Sequence, residues 1–143
     1  MLILDANILI RAVLGSIVLS LIRTFGRYVE FVAPDIAFHE AREHLPLILQ
    51  RRGIPVGPAA ASLEALGTIV KIASPATYSG FERAARLRLR GRDEDDWPIL
   101  ALALALGCPI WTEDTDFFGC GVATWTTGRV EIYLADPANH QSN

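Results

Sequence analysis

The chain opens on an uninterrupted apolar run, Leu2-Ile3-Leu4, that ends in Asp5-Ala6-Asn7. A run this short, polar only at its carboxyl end, predicts a strand buried on both faces of a parallel sheet. From Ile8 to Val29 apolar residues recur at helical spacing through Leu14, Val18, Leu21, Ile22 and Phe25, with Gly15 and Gly26 interrupting or ending the helices. Phe31-Val32-Ala33 predicts a second strand, closed by Pro34. Asp35 is placed to cap a helix running through His39, Glu40, Glu43 and His44 towards Arg52, which Pro46 should kink or divide. Gly53 to Pro58 reads as a loop, Ala59 to Leu66 as a short helix and Thr68 to Ala73 as a strand.

Ser79 to Arg90 has an amphipathic helical pattern, with Phe81, Ala84, Ala85 and Leu87 or Leu89 inward and the arginines outward. Asp95-Asp96-Trp97-Pro98 is a helix start, with acids at the positive end of the dipole and proline in the first turn. Ile99 to Leu106 is apolar all round and should be a central, buried helix ended by Gly107. Pro109-Ile110-Trp111-Thr112 is another strand followed by acids, and Val122 to Trp125 and Val130 to Leu134 complete the strand set. The tail from Pro137 to Asn143 should fray. Strands alternating with helices imply an α/β fold whose mostly parallel sheet is covered on both faces. No repeat, linker or low-complexity segment divides residues 1–136, so one domain is expected.

Composition supports this and narrows the chemistry. Of the 143 residues, 51% are hydrophobic, enough for a core without staples. Cys108 and Cys120 match neither a disulfide framework nor a Cys-x-x-Cys metal site, and Cys108 is expected to be a buried free thiol. A reducing, cytoplasmic compartment follows from that usage. No secretory pattern opens the chain, and the run Ile99 to Leu106 is far short of the roughly 20 residues that span a bilayer. A soluble protein is expected. The net charge of −3 excludes gripping nucleic acid by bulk positive charge. Charge is instead segregated: Arg83, Arg86, Arg88, Arg90 and Arg92 precede Asp93-Glu94-Asp95-Asp96, and a second acidic set follows at Glu113, Asp114 and Asp116. The arginine row is either a solvated face or a contact for nucleic acid or a partner, with Arg86 and Arg90 the candidates for phosphates. Trp97, Trp111 and Trp125 lie in apolar segments and are expected in the core.

In open α/β sheets, sites form beyond the carboxyl ends of the strands, and two predicted strands end there in acids, at Asp5 and at Glu113-Asp114. Carboxylates gathered at one point repel each other, and a divalent cation removes that conflict. Such a site can hydrolyse phosphodiesters despite the negative total, with arginines taking flanking phosphates. Asp95 and Asp96 as caps, or Asp116 as a turn residue, have ordinary structural explanations. An acid closing an all-apolar strand does not.

Four segments together resemble the PIN-domain nucleases, the family that includes the VapC toxins. They are Leu2-Ile3-Leu4-Asp5-Ala6-Asn7-Ile8-Leu9, Glu40 on the helix after the second strand, Asp93 to Ala103, and Trp111-Thr112-Glu113-Asp114-Thr115-Asp116-Phe117. The resemblance spans residues 1 to 127. It implies a three-layer α/β/α sandwich and a magnesium- or manganese-dependent ribonuclease that dimerises and has an antitoxin partner. Carried over by position, Asp5, Glu40, Asp96 and Asp114 would be the catalytic, metal-binding acids and Asp116 a further ligand, oriented by Asn7 and Thr112. Asp93 competes with Asp96, and Glu43 with Glu40; spacing to Ala101 and Ala103 favours Asp96. Ala6 stands where many relatives carry a hydroxyl.

Other readings fit less well. His39 and His44 are five apart and diverge on a helix by roughly 140°, so zinc-protease geometry fails. A dehalogenase-type phosphatase would want Asp at position 7, where Asn7 stands, and a receiver-like module would want a lysine closing a late strand, whereas Lys71 lies inside one. A PIN-like binding module without activity keeps the fold and is the remaining rival.

Overall fold

A computed structural model describes residues 1–142 of the chain. Strand β1 (Leu2–Leu4) leads into helices α1 (Ala6–Leu14) and α2 (Ile17–Phe25), then β2 (Phe31–Pro34), α3 (Asp35–Arg52), α4 (Val56–Leu66) and β3 (Lys71–Ala73). Helices α5 (Pro75–Tyr78), α6 (Glu82–Arg88) and α7 (Trp97–Leu106) precede β4 (Ile110–Trp111), β5 (Thr124–Trp125) and α8 (Val130–Ala135). All neighbouring strands pair in parallel, in the order β3-β2-β1-β4-β5. Helices α1 to α4 pack on one another and α5 to α7 form a second group, so the sheet is the middle layer of an α/β/α sandwich.

The order matters for function. From β1 the chain runs outward through β2 and β3, then returns to the other side of β1 for β4 and β5. The direction of winding therefore reverses between β1 and β4, and the carboxyl ends of strands at such a switch diverge to leave a crevice. β1 and β4 pair through Ile3 with Ile110 and Leu4 with Trp111, so Asp5 and Thr112 leave the sheet side by side.

The apolar runs explain the centre. Leu2, Ile3, Leu4, Ile110 and Trp111 are all fully buried, as a strand covered on both faces requires. Helix α7 buries Pro98 to Ala103 and contacts β1, β2 and β4; Ala101 and Ala103 let its backbone approach them closely. Gly107 ends it at φ +63°, a left-handed conformation open to glycine at no steric cost. Trp111 packs 6.2 Å from Phe31, while Trp97 and Trp125 are half-buried against the core. Cys120 is buried and Cys108 only half-buried, the reverse of the expected emphasis on Cys108; both are free.

Several elements differ from the sequence pattern. Val130 to Leu134 is helical: Val130 and Leu134 face inward at i and i+4, while Glu131 and Ile132 are exposed. The sequence pattern predicts a strand for this run, but the four residues after β5 are too few for a parallel crossover. Helix α4 begins at Val56, with Pro55 before it and Pro58 in the first turn, where a missing N–H costs nothing. The third strand is confined to Lys71–Ala73, because Thr68 to Val70 close the end of α4 through hydrogen bonds to Ala65 and Leu66. Pro46 lies inside the single assigned helix Asp35–Arg52 on its exposed side, where water can satisfy the carbonyl it leaves free. Of the expected inward face at Ser79 to Arg90, Ala85 and Leu89 are buried, whereas Phe81, Ala84 and Leu87 point outward.

The tail is tied down through Gln141. His140 stacks on Tyr28 at 5.0 Å, the Gln141 N–H donates to the Tyr28 carbonyl, and Asn139 donates to the Tyr133 carbonyl. The expected fraying from Pro137 is corrected to that extent; Asn143 lies outside the described residues. Among those residues no single helix is long and apolar enough to cross a membrane.

Candidate metal centre

Asp5 ends β1 and caps α1, its Oδ1 accepting the Ile8 N–H at 2.9 Å. Its Oδ2 accepts the hydroxyl of Thr112, the residue after β4. The Thr112 Oγ1 in turn accepts the N–H of Asp114 at 2.9 Å. With Asp5 ionised the polarity of this relay is fixed, since a carboxylate can only accept and an amide only donate. Asp114 then caps a short turn, its Oδ1 accepting the Asp116 N–H at 2.9 Å. One apolar strand pair thus delivers a hydrogen-bonded chain of three acids, Asp5, Asp114 and Asp116.

The second delivery is from α7. Asp93 caps the turn Glu94–Asp96 by accepting the Asp95 N–H, and the turn hands Asp96 to the helix start. The Asp93 N–H donates to Asp116 Oδ2 at 3.4 Å, joining the two segments. One carboxylate oxygen each from Asp96, Asp114 and Asp116 lie within 4.8 Å of one another, a spacing that suits a shared metal ion. Asp5 stands behind this group, 5% exposed. Among the described residues none of these four acids is ion-paired to Lys, Arg or His.

The electrostatics record the crowding. Burial first, then the charges of Asp93 and Asp114, push the Asp96 carboxyl up to about 7, helped by a hydrogen bond with Asp114 and by Glu40. Asp5 is pushed up to about 6 by burial, against the lowering effect of Thr112 and Ile8. Glu40 is raised by burial and by Glu43 and Asp93, with His44 and His39 opposing. A donor set made only of carboxylate oxygens, crowded enough to raise one another's pKa, fits a hard divalent metal.

The structure separates most of the paired candidates. Glu40 is half-buried on α3 and feels Asp93, while Glu43 is exposed and 3.2 Å from His39. Asp96 belongs to the converging group, whereas Asp93 caps the turn beside it. Asn7 lines a groove of about 820 Å³ that also holds Ile10, Arg11, Ile17, Arg52, Glu113 and Asp114. No Asn7 side-chain hydrogen bond is found among the described residues. Arg86 and Arg90 line a different hollow, and Arg86 is engaged with Glu82, the Glu94 carbonyl and the face of Trp97.

Sequence reasoning missed Arg11 and Arg52, which line the groove beside Asp114, and read Arg92 only as one of a row. Arg11 could have been found, because Asn7 and Arg11 are i and i+4 on one helix face. Arg52 reads equally well as a cation at a helix end. Arg92 stood out only as one of the arginine row; its own bonds could not be foreseen, since its partners lie more than twenty residues away.

The PIN domain model matches residues 3–135, and the chain belongs to the PIN-domain family, whose members are generally nucleases. A comparison with curated proteins gives no match.

Proposed function

We propose that the chain is a magnesium- or manganese-dependent endoribonuclease that hydrolyses RNA phosphodiester bonds at Asp5, Glu40, Asp96, Asp114 and Asp116. The observation that carries this is the convergence of three acids that have no cationic partner among the described residues, beyond the carboxyl ends of the switch-point strands and beside an open groove. When bound, the metal supplies charge stabilisation at the phosphodiester and an acidified water. Asp96, Asp114 and Asp116 are the residues that would hold it, and the two oxygens of buried Asp5 keep lone pairs to join them. Thr112 sets the spacing between Asp5 and Asp114 through its fixed relay. Glu40 faces the same acids from α3, where burial raises its carboxyl above the ordinary range and places it within reach of their charge.

Thr112 gives a selective test. Thr112→Val keeps the shape but removes both hydrogen bonds, and should weaken manganese binding about 10- to 100-fold, whereas Thr112→Ser should retain it. Isothermal titration of the two variants decides the point.

The groove supplies the track for the polymer. Arg11 and Arg52 line it with Asp114, make no ion pair among the described residues, and are placed to take phosphates flanking the scissile bond. Arg11→Ala and Arg52→Ala should each raise KM for a single-stranded RNA about tenfold, at roughly 1.4 kcal/mol per contact, with kcat nearly unchanged. Steady-state kinetics on a labelled oligonucleotide would show it. The resemblance to toxin ribonucleases supports RNA over DNA, a cognate antitoxin, a homodimer and a cytoplasmic location. Exposed Ile17, Leu47 and Ile132 are apolar surface available for such contacts.

The direct test incubates the wild-type protein with single-stranded and structured RNA in magnesium, manganese or chelator. Metal-dependent internal cleavage is expected. No cleavage of any RNA would favour the binding-module reading, for which Ala6 at the missing hydroxyl speaks.

A further inference from the structure

The loop after β4 must hold two acids, Asp114 and Asp116, against a third, Asp96, that arrives from another part of the chain. Like charges push these segments apart, so something else must hold them together when no metal is bound. Two arginines from the segment before Asp96 are in position to do so. Arg92 Nη1 donates to the Asp116 carbonyl at 2.7 Å and also to the Phe118 carbonyl. Arg88 Nη1 donates to the Cys120 carbonyl at 3.2 Å. Alternate carbonyls at 116, 118 and 120 are thus taken by two guanidinium groups.

The loop is shaped to receive them. Gly119 and Gly121 adopt φ +82° and +86°, a region side chains rarely enter. A Cβ on Gly121 would lie 2.6 Å from Arg88 Nη1, and one on Gly119 3.3 Å from Arg92 Nη2. The glycines therefore provide the turn, and Gly121 also the room for the Arg88 guanidinium where it now lies. The choice of acceptor also matters. An arginine bonded to the Asp116 carboxylate would compete with a cation for its oxygens. Bonding to the backbone fixes the loop and brings a positive charge nearby, yet keeps the guanidinium off the Asp116 carboxylate, whose Oδ2 accepts the Asp93 N–H.

We propose that Arg92, supported by Arg88, is a positioning residue that clamps the Asp114–Gly121 loop to the acidic turn and so presets the metal site. This rests on the metal-dependent reading above. It assigns to two arginines of the row a task within the protein rather than on a substrate.

The test uses the full chain as wild type, Arg92→Ala and Arg92→Lys, with manganese titrated calorimetrically at pH 7.5 and melting followed in chelator. Arg92→Ala should weaken manganese binding 10- to 100-fold while shifting the chelated melting temperature by only a few degrees. Arg92→Lys, a single donor on a flexible stem, should recover part of the affinity. Cleavage by Arg92→Ala should regain wild-type kcat at saturating manganese, which a general loss of structure would not allow. Wild-type and Arg92→Ala proteins binding manganese within twofold of each other would overturn the clamp. Wild-type protein binding no manganese would instead overturn the reading beneath it. Should Arg92→Ala fail to fold, Arg92→Gln decides by the same titration.

Discussion

Replacing Asp114 by Asn should abolish RNA cleavage, lowering kcat/KM about a thousandfold or more while the protein still folds. Asp114 is the joint of the site. It donates its N–H to the Thr112 hydroxyl oxygen, accepts the Asp116 N–H, and shares the converging position with Asp96. Asparagine keeps the size and one acceptor oxygen, so the turn can persist, but it removes a charge. Losing a metal ligand forfeits several kcal/mol of charge stabilisation in the transition state, and each 1.4 kcal/mol is about tenfold in rate. Asp96→Asn should behave alike. Quantified cleavage of a labelled RNA, with circular dichroism as the folding control, measures both; cleavage within tenfold of wild type would remove Asp114 from the machinery.

The second large effect is a reversal in how stability responds to pH. Asp5 and Asp96 have carboxyls raised from 3.8 to about 6 and about 7, chiefly by burial. Between those values and the ordinary carboxylate range the folded chain holds protons that the unfolded chain has released. Stability must therefore fall as pH rises. Their contribution is fully present below about pH 4 and is lost as pH passes about 6 for Asp5 and about 7 for Asp96. For Asp5 the shift corresponds to roughly 3 kcal/mol; Asp96 is far more open to solvent and contributes less. In chelator the melting temperature should drop on the order of ten degrees between pH 4 and pH 8. In manganese the slope should flatten or reverse, because the cation binds the deprotonated acids and stabilises only the folded chain. Identical slopes in both buffers would mean that the acids do not bind the cation. Asp5→Asn should flatten the chelator curve.

Legibility in the sequence followed the reach of each signal. Asp5 stood out because a charge ends the apolar run Leu2-Ile3-Leu4; the structure places it at the switch point and also gives it the cap of α1. The buried α7 helix was legible because every position from Ile99 to Leu106 is apolar. The end of the chain was not: Val130-Glu131-Ile132-Tyr133-Leu134 satisfies both the strand and the i, i+4 pattern, and only its packing selects a helix. Glu40 and Glu43 are three apart on one helix, so spacing alone could not rank them, whereas their differing exposure does. The places of Arg92 and Arg52 depend on contacts across the fold, whereas Arg11 shares a helix face with Asn7. Arg86 and Arg90, singled out by charge density alone, lie on another hollow.

Everything proposed for this chain turns on whether its acids bind a cation in common. The most direct measurement is anomalous diffraction from crystals soaked in manganese. A peak among the carboxylates of Asp96, Asp114 and Asp116, with Asp5 close behind, is the expected result. Crystals that keep those side chains in place yet show no peak there, or a peak only elsewhere, would contradict it.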